Sequence, residues 1–310
     1  MQNPSFKHLL GIEHLSCEEI ELILQTTDSM KEITQRSIKK VPTLKGKTVI
    51  NLFFEPSTRT KLSFEIAAKR LSADTIGFSS ATSSLSKGEN LLDTVKNCEA
   101  MLPDVIVIRH PCSGASHFVS QHINCSVINA GDGINQHPTQ ALLDIFTIKE
   151  RINDLKGIKI AIIGDIKHSR VAHSDIMLFT KMGANVFVSG PGFLMNPFIS
   201  VLGAKICDKI EDAICDADVI ILLRIQKERF GNGVIPSERE YAMLYGINMN
   251  RIKSAKENVI VMHPGPVNWG VELSPDIMDY NNNIILDQVT NGVALRMALL
   301  YILSNQGERE

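Results

Sequence analysis

The chain has 310 residues, 44% of them hydrophobic, and a formal net charge of −2, so it is long enough for two packed domains and lacks the basic balance a nucleic-acid surface needs. Its six cysteines (Cys17, Cys98, Cys112, Cys125, Cys207, Cys215) include no C-x-x-C pair and no zinc-ribbon spacing, which fits reduced thiols in a cytoplasmic enzyme better than a disulfide framework. Residues 1–10 are polar and broken by Pro4, so no signal peptide is expected, and no apolar run reaches membrane-spanning length.

The first predicted element is a helix over residues 17–34, opened by Ser16 and Glu19 at capping-box spacing. Residues 47–53 (KTVINLF) are an apolar, β-branched run of strand length. Residues 58–71 then place Leu62, Ala67, Ala68 and Leu71 on one helical face, with Ser57 at the N-cap. The start of that helix gathers backbone N–H groups, the hydroxyls of Ser57, Thr58 and Thr60, and the guanidinium of Arg59, a set that suits a phosphate. Ser and Thr also cap helices routinely, so an ordinary capped helix accounts for the same residues.

Further strands are predicted at 75–78, 104–109 and 126–129, and the polar stretch 79–90 reads as a loop. Pro138 suits the first position of a helix, which makes His137 its N-cap and puts Gln140 one turn on, facing the same ligand. A His before Pro can equally be a simple cap.

In the second half, short apolar runs at 158–163, 185–188, 204–206, 218–223, 258–262 and 283–286 alternate with helical patterns, which argues for parallel sheets covered on both faces. Arg109 and Arg224 each close a predicted strand and are expected at the carboxyl edge of a sheet, where open α/β folds bind ligands. The run IAIIGD (160–165) lacks the glycines of a dinucleotide-binding turn, and His168 and His173 have no neighbouring carboxylate-and-histidine set, so neither a nucleotide nor a metal site is expected. The last helix, 292–304, is apolar on more than one face and must be buried. With the crossing placed inside the helix that starts near Pro138, the domains are 1–140, joined by 292–310, and 141–291.

Four separated segments carry a resemblance. FFEPSTRTKLSFE (53–65) resembles the carbamoyl-phosphate signature of the aspartate and ornithine carbamoyltransferases. SSLSKGENLLDT (83–94), HPTQALLD (137–144) and HPGPVN (263–268) are similar to that family's loop with its lysine, its HPTQ-type segment and its late proline-rich loop, so the resemblance runs from about residue 5 to about residue 304. RIQKERF (224–230) resembles the aspartate branch, and the Ser-Met-Gly motif of the ornithine branch is missing.

The resemblance implies an α/β fold of two domains, each a parallel sheet flanked by helices, with the active site in the cleft between them. It implies transfer of the carbamoyl group of carbamoyl phosphate to L-aspartate in pyrimidine (UMP) biosynthesis, with no cofactor and no metal. Ser57, Thr58, Arg59, Thr60, Arg109, His137, Gln140, Gly265 and Pro266 match the carbamoyl-phosphate positions, with Arg59, Thr60, Arg109 and His137 as the catalytic donors. Lys87, Arg170, Arg224 and Gln226 match the aspartate positions. Lys87, with Ser83 and Ser84, lies on a loop that in the family reaches the neighbouring subunit, which implies a homotrimer with shared active sites. Whether a regulatory chain or a dihydroorotase joins it stays open, as do a different amino-acid acceptor and a catalytically silent relative. One position departs: many relatives have arginine where this chain has Trp269.

Overall fold

Ser16 opens the first helix as its spacing predicts. Its hydroxyl accepts from the Glu19 N–H at 3.2 Å, Glu19 Oε2 accepts from the Ser16 N–H at 2.9 Å, and α1 runs Cys17–Gln35. The computed structural model describes residues 6–79, 89–225 and 237–305. These fall into two units, the first made of the residues up to Phe146 and from Thr290 onward, the second of Thr147–Val289.

After α1, the first unit continues through β1 (Thr48–Phe53), α2 (Thr58–Arg70), β2 (Asp74–Ser79), α3 (Leu91–Glu99), β3 (Val105–His110), α4 (Ala115–Ser120), β4 (Ser126–Asp132) and into α5 (Pro138–Lys149). Its strands lie in the order β2-β1-β3-β4, all parallel. β4 is buried at every position and β1 at all but its first, the pattern of strands covered on both faces. Ile50, Leu52, Val95, Ile106, Ile108, Val119 and Val127 form one core there, and burying side chains of this size stabilises by roughly 1.5–3 kcal/mol each.

The second unit follows with β5 (Lys159–Ile163), α6 (Arg170–Lys181), β6 (Asn185–Ser189), β7 (Lys205–Ile206), α7 (Ile210–Ile214), β8 (Val219–Leu222), α8 (Glu238–Tyr245), α9 (Met249–Ile252) and β9 (Ile260–Met262). Its parallel strands are ordered β7-β6-β5-β8-β9. Ala161, Ile163, Ile214, Ile220, Leu222, Val261 and Ile277 belong to its core.

One predicted strand is absent. Residues 283–286 make a single bridge, Asn283 to Val261, and the chain then turns into α10 (Ile285–Ser304), seven residues earlier than the apolar pattern placed the last helix. The cause is local: the Asn283 side chain accepts from the Ile285 N–H at 3.3 Å and Asp287 sits in the first turn, so the apolar residues Ile285 and Leu286 enter a helix instead of extending a ladder. From Ala294 onward α10 is fully buried at Ala294, Leu295, Met297, Ala298, Leu299 and Leu300, as a helix apolar on several faces must be.

The strand orders set where ligands can bind. In the first sheet β1 leads to β2 on one side while β3 lies on the other; in the second sheet β5 leads to β6 on one side and has β8 on the other. Each pair, β1/β3 and β5/β8, is therefore a topological switch point whose carboxyl ends diverge to leave a crevice.

Candidate active site

In the first unit, the ends of three adjacent strands and the segments after them carry Ser57 to Thr60, Arg109, His137 and Gln140. β1 ends at Phe53 and hands over to α2 through Ser57, whose backbone is extended (φ −159°, ψ 94°) in the N-cap position. Its hydroxyl makes no capping hydrogen bond, so the ordinary-cap reading does not account for it. Thr58 and Arg59 are exposed and Thr60 is buried, all in the first turn of α2, where the helix dipole favours an anion.

Arg109 is the fifth residue of β3 and lies opposite Phe53 of β1. Its Nε donates to Glu55 Oε1 at 2.7 Å and one Nη donates to the Ala130 carbonyl at 3.3 Å. Two contacts on different edges of a planar group fix its plane.

β4 leads through residues 133–136 to His137, which directly precedes α5 and is almost wholly buried. The His137 carbonyl accepts from the N–H groups of Gln140 and Ala141, and Thr139 Oγ1 lies 3.4 Å from His137 Nδ1. Gln140 sits one turn along, 8% exposed, with Nε2 donating to Asp144 Oδ1 at 2.9 Å.

The second unit repeats the logic. After β5 the chain turns at Gly164, where φ is +133° and a Cβ would lie 3.1 Å from the Leu223 carbonyl oxygen, a place only glycine fills without strain. Asp165, fully buried, then accepts from the His168 N–H at 3.0 Å and holds the His168 ring at the same distance. Ser169 caps α6 by accepting from the Ala172 N–H at 3.2 Å, so Arg170 is the first helical residue, 6% exposed. Arg224 follows β8, next to β5 in the sheet, and is half-buried. The next strand, β9, leads to His263 and the Gly265-Pro266 peptide, which is cis.

That last loop is held from beneath. The Gly265 N–H donates to His263 Nδ1 at 2.8 Å, so Nδ1 is the acceptor nitrogen and the ring proton is on Nε2, which donates to Glu272 Oε1 at 3.2 Å. Glu272 Oε1 also accepts from the Asn268 N–H at 2.7 Å, and both His263 and Glu272 are buried. Tyr241, also buried, has its phenol pushed up, first by burial and then by the charges of Glu272 and Asp165, and stays neutral.

The structure thus gathers Ser57, Thr58, Arg59, Thr60, Arg109, His137 and Gln140 along one carboxyl edge, and Arg170, Arg224, Gly265 and Pro266 along the corresponding edge of the second sheet. Lys87 and Gln226, with Ser83 and Ser84, lie outside the described residues. Among the described residues, no three His, Cys, Asp or Glu side chains gather as metal ligands, and no helix is long and apolar enough to cross a membrane.

Sequence reasoning gave no role to Glu55, Asp144, Glu272 or Arg296. Glu55 and Asp144 stand inside the two motifs themselves, and Asp144 is four residues after Gln140 on one helix, a spacing that places two side chains together. Nothing in the local sequence links Glu272 to His263.

Two sheets, each with arginines and polar residues at the carboxyl ends of its central strands, define an anion-handling α/β protein. The chain belongs to the aspartate/ornithine carbamoyltransferase family: residues 7–150 match the carbamoyl-P binding domain of that family and residues 156–303 match its Asp/Orn binding domain. It is 57% identical to the aspartate carbamoyltransferase catalytic subunit of Syntrophotalea carbinolica, covering 98% of this chain and 96% of that one, and 58% identical to that of Desulforapulum autotrophicum, covering 96% of each. Among solved structures, it is similar to aspartate transcarbamoylase from Trypanosoma cruzi in complex with carbamoyl aspartate and phosphate (TM-score 0.84, 31% identity, 96% and 95% covered). It is equally similar to the catalytic subunit of M. jannaschii aspartate transcarbamoylase (TM-score 0.84, 36% identity, 98% and 100% covered).

Proposed function

We propose that this chain transfers the carbamoyl group of carbamoyl phosphate to the amine of L-aspartate, giving N-carbamoyl-L-aspartate and phosphate, the committed chemistry of pyrimidine synthesis. The observation that carries the reading is the set of donors on adjacent strand ends of the first sheet: the α2 start with Ser57 to Thr60, then Arg109, then His137. A phosphate fits the helix start and Arg59, while Thr60, Arg109 and His137 donate to the carbonyl oxygen. Attack by the amine makes a tetrahedral oxyanion, which those donors stabilise because they are already fixed when the charge develops. The C–O bond to phosphate then breaks, and the departing phosphate takes the amine proton. Gln140 and the carbonyls of Gly265 and Pro266 accept from the carbamoyl amide.

Arg170 and Arg224 suit two carboxylates, a planar fork for each, and favour a dicarboxylic acceptor over ornithine; Lys87 and Gln226 complete the aspartate set in this reading. By this reading the carbamoyl-phosphate domain is 1–140 with 292–310, and the aspartate domain is 141–291. The working form is a cytoplasmic homotrimer with shared active sites. Leu62 and Ile66 on α2 and Ile76 on the edge strand β2 are about half-exposed, apolar surface that supports a subunit contact.

The test is a carbamoylation assay across aspartate, ornithine and other amino acids, with assembly mass measured alongside. Carbamoyl-aspartate as the sole product from a trimer is the expected result. Transfer to ornithine, or none with any amine, overturns the reading.

A further inference from the structure

Behind Gln140 lies a buried polar chain that no step above uses. Gln140 Nε2 donates to Asp144 Oδ1 at 2.9 Å, and Asp144 is fully buried. Arg296 of α10, 4% exposed, stands over the Phe64 ring with its guanidinium carbon 5.2 Å from the ring centroid, and one Nη donates to the Gly292 carbonyl at 2.9 Å. Gly292 makes room for it, since a Cβ there would meet that Nη at 2.6 Å. Burial pushes the Arg296 guanidinium down to about 10, and the negative charge of Asp144 opposes that shift.

The chemistry of Asp144 decides how Gln140 presents itself. A carboxylate only accepts hydrogen bonds, so the Gln140 amide must turn its NH2 end toward Asp144. The amide is planar, so its carbonyl oxygen is then turned away from the carboxylate. The flipped amide would set oxygen against a buried charged oxygen, with the carboxylate left without its donor.

We propose that Asp144 is a positioning residue that locks the Gln140 carboxamide with Oε1 toward the ligand, so that the site demands an N–H donor there and selects carbamoyl phosphate over an acyl phosphate without one. This rests on the carbamoyl-phosphate reading of the site.

Acetyl phosphate carries the same phosphate and carbonyl, with a methyl in place of the amide nitrogen. Calorimetric dissociation constants for carbamoyl phosphate, acetyl phosphate and inorganic phosphate are measured on the wild-type chain, Asp144→Asn, the double variant Asp144→Asn/Arg296→Met, and Gln140→Leu with and without Asp144→Asn. Wild type prefers carbamoyl phosphate. That preference falls by about 10-fold in Asp144→Asn and in the double variant, the cost of one misdirected buried hydrogen bond, while the inorganic phosphate constant moves by less than about 2-fold. In the Gln140→Leu background, Asp144→Asn changes the preference no further, because its effect runs through Gln140. The double variant removes both charges together and keeps an apolar side chain against Phe64, so the measurement stands if Asp144→Asn alone does not fold. An unchanged preference, an equal weakening toward all three ligands, or a further loss in the Gln140→Leu background overturns the positioning role. No preference in the wild-type chain overturns the carbamoyl-phosphate reading and the proposal with it.

Discussion

Glu272 is the most informative position to perturb in the second unit, because one oxygen atom holds two ends of the His263 to Glu272 loop. Its Oε1 accepts from the Asn268 N–H at 2.7 Å and from His263 Nε2 at 3.2 Å. Truncation to alanine leaves the His263 N–H buried without an acceptor, at about 2–3 kcal/mol, whereas the half-buried Asn268 N–H can turn to water at about 1 kcal/mol. Glu272→Ala is therefore expected to lose about 3–4 kcal/mol before any cavity cost. Glutamine keeps an oxygen in the same place, so Glu272→Gln should lose about 1 kcal/mol, the difference between a charged and a neutral acceptor. The assay is built in: Trp269 is the only tryptophan of the chain and lies within the clamped loop, so its fluorescence in urea reports this loop directly. The expected result is a clearly lower midpoint for Glu272→Ala and a near-normal one for Glu272→Gln. Equal midpoints for alanine and wild type would show that Glu272 clamps nothing.

Arg59→Ala should cut turnover by about 10² or more, the usual effect of removing a fixed stabiliser of developing charge, and a folded variant with near-normal turnover would sink the cradle assignment. Lys87→Ala and Arg59→Ala homotrimers should each be nearly inactive, and co-refolding them should restore activity if an intact Lys87 from one chain serves an intact Arg59 of its neighbour. Hybrid trimers that form yet stay inactive refute sharing. Trp269→Arg should lower the aspartate KM with carbamoyl-phosphate affinity little changed, because it adds a cation where the present side chain offers an apolar face and one N–H donor. An unchanged or raised KM in the folded variant means position 269 does not serve the dicarboxylate.

The strands were legible where an apolar run coincided with burial on both faces, as in KTVINLF and DVIILL. The same rule failed at residues 283–286, because a short apolar run carries no period and the Asn283 cap and Asp287, which tip it into helix, are single residues. The placement of Arg109 and Arg224 was legible because each closes an apolar run, which sets it at the carboxyl end of a strand. Their supports were not. Glu55 meets Arg109 across 54 residues, a pairing that depends on which strands become neighbours.

In the proposed site, Arg109 is partly neutralised by its own support. Glu55 takes one edge of Arg109, which lowers the net attraction for a dianion, and if charge alone set affinity this would be a fault. An arginine loose in solvent, however, must give up rotamer freedom on binding, about 1.5–2 kcal/mol for a long side chain. Arg109 is 13% exposed at its side chain and bonded at two edges, so that ordering is completed when the chain folds. What remains is a donor already aimed, and an aimed donor favours a transition state whose charge sits in one place more than it favours either anionic ground state. By the same reasoning, Glu55→Gln should strengthen phosphate binding while slowing turnover, and a variant that gained both would show that charge outweighs placement here.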